Sequence, residues 1–75
     1  MSVRILFFGL IAEQQGVREQ RLELNGSLTL AELLIDLGID SDMPQMLAVN
    51  QQQVSPYTLL SDGDEVAIMP PFSGG

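Results

Sequence analysis

Hydrophobic positions in this chain change period twice, and the changes mark out its elements. From Ser2 to Gly9 the pattern alternates, with Val3, Ile5 and Phe7 on one face and Arg4, Leu6 and Phe8 on the other. Both faces are largely apolar, which predicts a central strand. Gly16 marks a break, and Arg18 to Leu24 alternates again, with Leu22 and Leu24 opposed to Arg21 and Glu23. Asn25-Gly26 then signals a turn.

The next segment has a helical period. Leu30, Leu33, Leu34 and Leu37 follow the i, i+3, i+4, i+7 spacing of a buried stripe, with Glu32 and Asp36 facing out. Thr29 and Glu32 have the spacing of a capping box, in which each side chain satisfies an otherwise unpaired backbone amide. Gly38 supplies a left-handed stop and Ile39 folds back on the last turn.

Asp40 to Pro44 reads as an acidic loop. Met46–Val49 and Gln53-Val54 are short strands joined through Asn50-Gln51-Gln52, and Pro56 keeps the second of them brief and at an edge. Asp62-Gly63-Asp64 is a tight turn into a last strand, Glu65 to Met69, which Pro70-Pro71 ends because proline cannot donate to the ladder. Strand, strand, helix, two short strands and a final strand predict an α+β domain with one main helix packed across a mixed sheet. The first and last strands carry near-continuous apolar runs and are expected side by side at its centre. The globule spans 1–69 and an extended tail spans 70–75.

Composition narrows the function. Seventy-five residues make one domain with a modest core. Ten carboxylates against three arginines, Arg4, Arg18 and Arg21, give a formal charge of −7, which repels phosphate backbones and argues against nucleic acid. There is no lysine, so no side-chain amine here can accept an isopeptide bond. Zero cysteines and zero histidines remove disulfides, thiolate nucleophiles, the usual catalytic base and the commonest metal ligands. Asp62 and Asp64 flank one glycine and fall short of a calcium loop, so no metal is expected. No apolar run is long enough for a membrane span or a secretory core, which points to the cytoplasm.

The chemistry is then expected in the tail, Pro70-Pro71-Phe72-Ser73-Gly74-Gly75. Glycine has no Cβ, so Gly74-Gly75 form a narrow, adaptable peptide that can be threaded into another protein's active site. The prolines hold a stiff geometry rising about 3.1 Å per residue, and Pro70 to Gly75 fully extended reach about 20 Å. A plainer reading is that the prolines end a strand and the glycines fray. A terminal carboxylate, with a pKa of roughly 3.5, is ionised and unreactive until activated. The chain lacks a nucleotide-binding glycine loop, so activation has to come from another enzyme.

Leu47-Ala48-Val49-Asn50-Gln51, Leu60-Ser61-Asp62-Gly63-Asp64-Glu65-Val66-Ala67 and Pro70-Pro71-Phe72-Ser73-Gly74-Gly75, with the opening Val3-Arg4-Ile5-Leu6-Phe7-Phe8-Gly9, resemble the small subunits of molybdopterin synthase. The double proline before the double glycine is the discriminating part among ubiquitin-like sulfur carriers. Two departures stand out: Ala12-Glu13 occurs where the family often has an arginine beside the glutamate, and the stretch before Met46 carries no signature.

The resemblance implies a ubiquitin-like β-grasp with four to five strands. It implies that a partner enzyme uses ATP to adenylate Gly75, that a sulfur donor protein converts it to a thiocarboxylate, and that the sulfur, carried covalently on Gly75, goes to a cyclic pterin precursor in the large catalytic subunit. The chain would then be no enzyme by itself and would hold no bound cofactor. A heterotetramer with the large subunit is implied. The alternatives are a carrier for thiamin thiazole synthesis and a non-catalytic ubiquitin-like interaction module.

Two features bear on partners. Phe72, between the prolines and the glycines, either docks in a partner's pocket or folds back on its own sheet. Leu6, Phe8, Ala67 and Met69 fall on the sheet face opposite the helix, which nothing later in the chain covers. They predict an apolar partner surface, with self-association as the competing use.

Overall fold

The computed structural model describes residues 1–39 and 46–70. The expected acidic loop, Asp40 to Pro44, and the tail from Pro71 to Gly75 lie outside the described residues. The elements in chain order are β1 (Ser2–Phe7), α1 (Gly9–Gln15), β2 (Glu19–Glu23), α2 (Leu30–Asp36), β3 (Met46–Val49), β4 (Gln52–Gln53) and β5 (Glu65–Met69). The strands form one mixed sheet ordered β2-β1-β5-β3-β4. β1 and β5 pair in parallel at its centre, and every other pairing is antiparallel. This is the expected α+β, ubiquitin-like β-grasp architecture.

Alternation decides which side of the sheet is covered. Val3, Ile5 and Phe7 of β1, Leu47 of β3, and Val66 and Ile68 of β5 are buried. They form one core with Leu30, Leu33 and Leu34 of α2 and Ile11 of α1. Strand residues between them point to the opposite face.

α2 forms as its sequence predicts. Thr29 N–H donates to Glu32 Oε1 at 3.1 Å and Glu32 N–H donates to Thr29 Oγ1 at 3.2 Å, which completes the capping box. At the other end Gly38 has φ 74°, a conformation a Cβ would penalise. Gly38 N–H donates to the Ile35 carbonyl and Ile39 N–H to the Leu34 carbonyl, which satisfies two orphan acceptors and buries Ile39 against the core.

Three details depart from the sequence pattern. β1 ends at Phe7 rather than Gly9, because Phe8 is the N-cap of a short helix, α1. That helix has seven residues, one buried side chain, no side-chain cap and no acidic first turn, so it lacks the signals by which helices are read. β2 is a residue shorter at each end than its alternating run. The β3–β4 connection is the two residues Asn50 and Gln51, both with positive φ (53° and 69°), so β4 begins at Gln52. Two positive φ values give the turn whose twist matches that of paired strands.

Candidate functional site

The site is built from the uncovered sheet face and the point where the chain leaves β5. Directly paired residues share a face, so the register lays out a row across all five strands: Glu19, Leu6, Ala67, Ala48 and Gln53. Met69 and Met46 pair beside it. Leu6, Ala67, Met69 and Met46 are half-buried, and Ala48, a small residue between neighbours, is buried outside the main core. The centre of the face is therefore apolar and lies opposite α2.

Charge surrounds that centre at one end. Arg4, on the same face, donates from Nη2 to Glu65 Oε2 at 2.9 Å and lies 3.5 Å through Nε from Glu19 Oε2. One guanidinium thus links both strands flanking β1. Both pairs are solvent-exposed, which limits each to roughly 0–1 kcal/mol. Arg21 stands directly opposite Arg4 on β2.

Of the other expected partner residues, Phe8 is not a strand residue but keeps extended backbone (φ −126°, ψ 152°). It is 43% exposed. Its N–H donates to the Ile68 carbonyl at 3.2 Å, prolonging the β1–β5 contact by one step. With Leu6, Gly9, Ala12, Glu13, Arg18 and Glu19 it lines a groove of about 620 Å³. Pro70 follows β5 directly and lies against Gly9. Leu6 and Ala67 at the centre of the open face therefore lead on to Phe8, Met69 and Pro70 at the end where the chain leaves β5; Pro71, Phe72, Ser73, Gly74 and Gly75 lie outside the described residues.

Met46 and Ala48 join this face without having been singled out by the sequence. Only the antiparallel β3–β5 register brings them beside Met69 and Ala67.

Asp62 and Asp64 are both engaged within the protein. Ser2 N–H donates to Asp62 Oδ1 at 2.8 Å. Ser61 N–H and the Asn50 side-chain amide each donate to an Asp64 carboxylate oxygen, at 2.7 and 3.0 Å. Among the described residues no group of three or more His, Cys, Asp or Glu side chains is arranged to hold a metal ion. No described helix is long and apolar enough to cross a membrane.

The ThiS family model matches residues 5–75. The chain belongs to the ThiS family. Within curated relatives, this ThiS-family chain is 40% identical to the molybdopterin synthase sulfur carrier subunit of Chlamydomonas reinhardtii over the full length of both. Among solved structures it is similar to a protein assigned as molybdopterin converting factor subunit 1 in Pyrococcus furiosus (TM-score 0.81, 26% identity, 96% of this chain and 99% of that one). It is also similar to a chain in the complex of subunits 1 and 2 of molybdopterin-converting factor from Helicobacter pylori (TM-score 0.66, 28% identity, all of both chains).

Proposed function

We propose that this chain is the sulfur-carrying small subunit of a molybdopterin synthase, with Gly75 as the point of loading. The observation that carries the reading is the full-length 40% identity to a subunit of that name. The geometry suits the role. β5 is held between β1 and β3 at the centre of the sheet and leads directly into Pro70, so residues 70–75 follow from a strand paired on both sides.

In this reading an adenylating partner transfers AMP from ATP to the Gly75 carboxylate with release of pyrophosphate, converting a poor electrophile into a mixed acyl–phosphate anhydride. A sulfur donor protein then displaces AMP and leaves a thiocarboxylate. Its sulfur attacks the cyclic pterin precursor inside the large catalytic subunit, towards the dithiolene of molybdopterin. Pro71, Phe72, Ser73 and Gly74 supply the narrow thread that carries Gly75 into each active site, and the double proline lowers the entropy lost on clamping it. The face of Leu6, Phe8, Ala67 and Met69 is where the large subunit docks. The relative seen together with subunit 2 supports a two-protein assembly.

Deleting Gly75 tests the proposal. In a reaction reconstituted with the large subunit, the activating enzyme and a sulfur source, the shortened chain should make no dithiolene product. A non-catalytic interaction module would keep its function after the deletion, and copurification with a thiazole synthase would favour the thiamin pathway.

A further inference from the structure

We propose that Gly9 is a side-chain-free seat for Pro70, fixing where the reactive tail leaves the globule; this rests on the carrier reading above. A Cβ built on Gly9 would lie 2.9 Å from Pro70 Cγ and 3.4 Å from Cδ. Carbon atoms in favourable contact sit about 3.5–4.0 Å apart, so any side chain at position 9 forces the ring to move. Gly9 also has φ +58°, but so, nearly, do Gly16, Gly26, Gly38 and Gly63, and a Cβ on any of those four would meet nothing within 4 Å. Backbone conformation accounts for those four; at Gly9 there is a close approach as well.

Pro70 has no N–H with which to fasten itself to a neighbour. Its place is set instead by packing of the ring and by what holds the chain just before it. Phe8 N–H bonded to the Ile68 carbonyl brings the end of β1 and the end of β5 into register, one residue before Gly9 and two before Pro70. The ring then locks φ at Pro70 near −65°, so the contact with Gly9 holds Pro70 itself in one place and orientation. Placement matters because reacting atoms must meet within about 3–3.5 Å, and a misplacement of about 1 Å can cost 10²-fold in rate. Gly9 is on this account a positioning residue: it acts on the reacting carboxylate only through Pro70.

The test separates the contact from the backbone strain. Asparagine tolerates left-handed backbone, so Gly9→Asn adds a Cβ with little conformational penalty. Gly9→Asn should lower the kcat for thiocarboxylate formation by the cognate adenylating enzyme and sulfur source about tenfold, with KM for the carrier and the thermal midpoint little changed. In a Pro70→Ala background, where Cγ and Cδ are gone, the same substitution should cost less than about twofold. Equal losses in both backgrounds, or a loss that follows KM or the thermal midpoint, would overturn the proposal. Failure of the unsubstituted chain to be converted, where a known carrier is, would remove the carrier reading instead. The seat itself is read in the unsubstituted protein: nuclear Overhauser contacts between the Gly9 Hα protons and the Pro70 ring are expected, and their absence overturns the proposal however the variants fold.

Discussion

Asn50 donates its side-chain amide to Asp64 Oδ1 at 3.0 Å, tying the β3–β4 turn to the bend that launches β5. Asn50 Oδ1 in turn accepts from Glu65 N–H at 3.0 Å, and Ser61 N–H reaches the other Asp64 oxygen at 2.7 Å. The pair thus fixes the start of the strand whose far end carries the tail. Asp64→Ala removes the acceptor of two part-buried hydrogen bonds, from the Ser61 amide and the Asn50 side chain, at a cost of about 1 kcal/mol or more. Thermal unfolding should show the midpoint falling by roughly 4–8 °C per kcal/mol; an unchanged midpoint would mean that water replaces the carboxylate at no cost.

The capping box of α2 gives a second stability test. Thr29→Ala should destabilise the protein by about 1 kcal/mol. Because Thr29 and Glu32 serve each other's amides, the double substitution with Glu32→Ala should cost less than the sum of the singles in denaturant titrations. Strict additivity would show that the two bonds act independently.

Ala67 lies between Leu6 and Ala48 in the middle of the open face. Ala67→Asp puts a charge there without touching the main core. Far-ultraviolet circular dichroism should be retained, while affinity for the large subunit measured by calorimetry falls at least about tenfold, as expected when an unpaired charge is desolvated at the middle of an interface. If the face serves self-association, the unsubstituted chain will instead show concentration-dependent mass by sedimentation and the variant will not.

Phe72→Ala separates the two uses of that aromatic. As an anchor in a partner's pocket, its loss should weaken binding to the large subunit by about 1 kcal/mol or more and leave the thermal midpoint alone. As a residue folded on its own sheet, it should lower the midpoint and spare the affinity.

The sequence disclosed what periodic burial and local hydrogen bonding write into it. Leu30, Leu33 and Leu34 with Thr29, Glu32 and Gly38 specify α2 almost residue by residue, and the apolar runs of β1 and β5 place those strands together at the centre. α1 was hidden because a seven-residue helix that buries Ile11 alone has no stripe to detect. Its effect is large all the same: it ends β1 at Phe7 and puts Gly9 under Pro70. The turn at Asn50 and Gln51 was displaced by one residue because a glutamine rarely adopts positive φ; Asn50, held by Asp64 and Glu65, fixes the register in its place. On the open face, Leu6, Ala67 and Met69 were visible from alternation, whereas Met46 and Ala48 depend on which strand lies next to β5, a long-range fact.

The account stands most directly on the intact mass of this chain after incubation with its cognate adenylating enzyme, ATP and a sulfur source. It predicts a gain equal to replacing one oxygen by sulfur, located on Gly75 by fragmentation. An unaltered mass, under conditions that convert a known carrier, would contradict it.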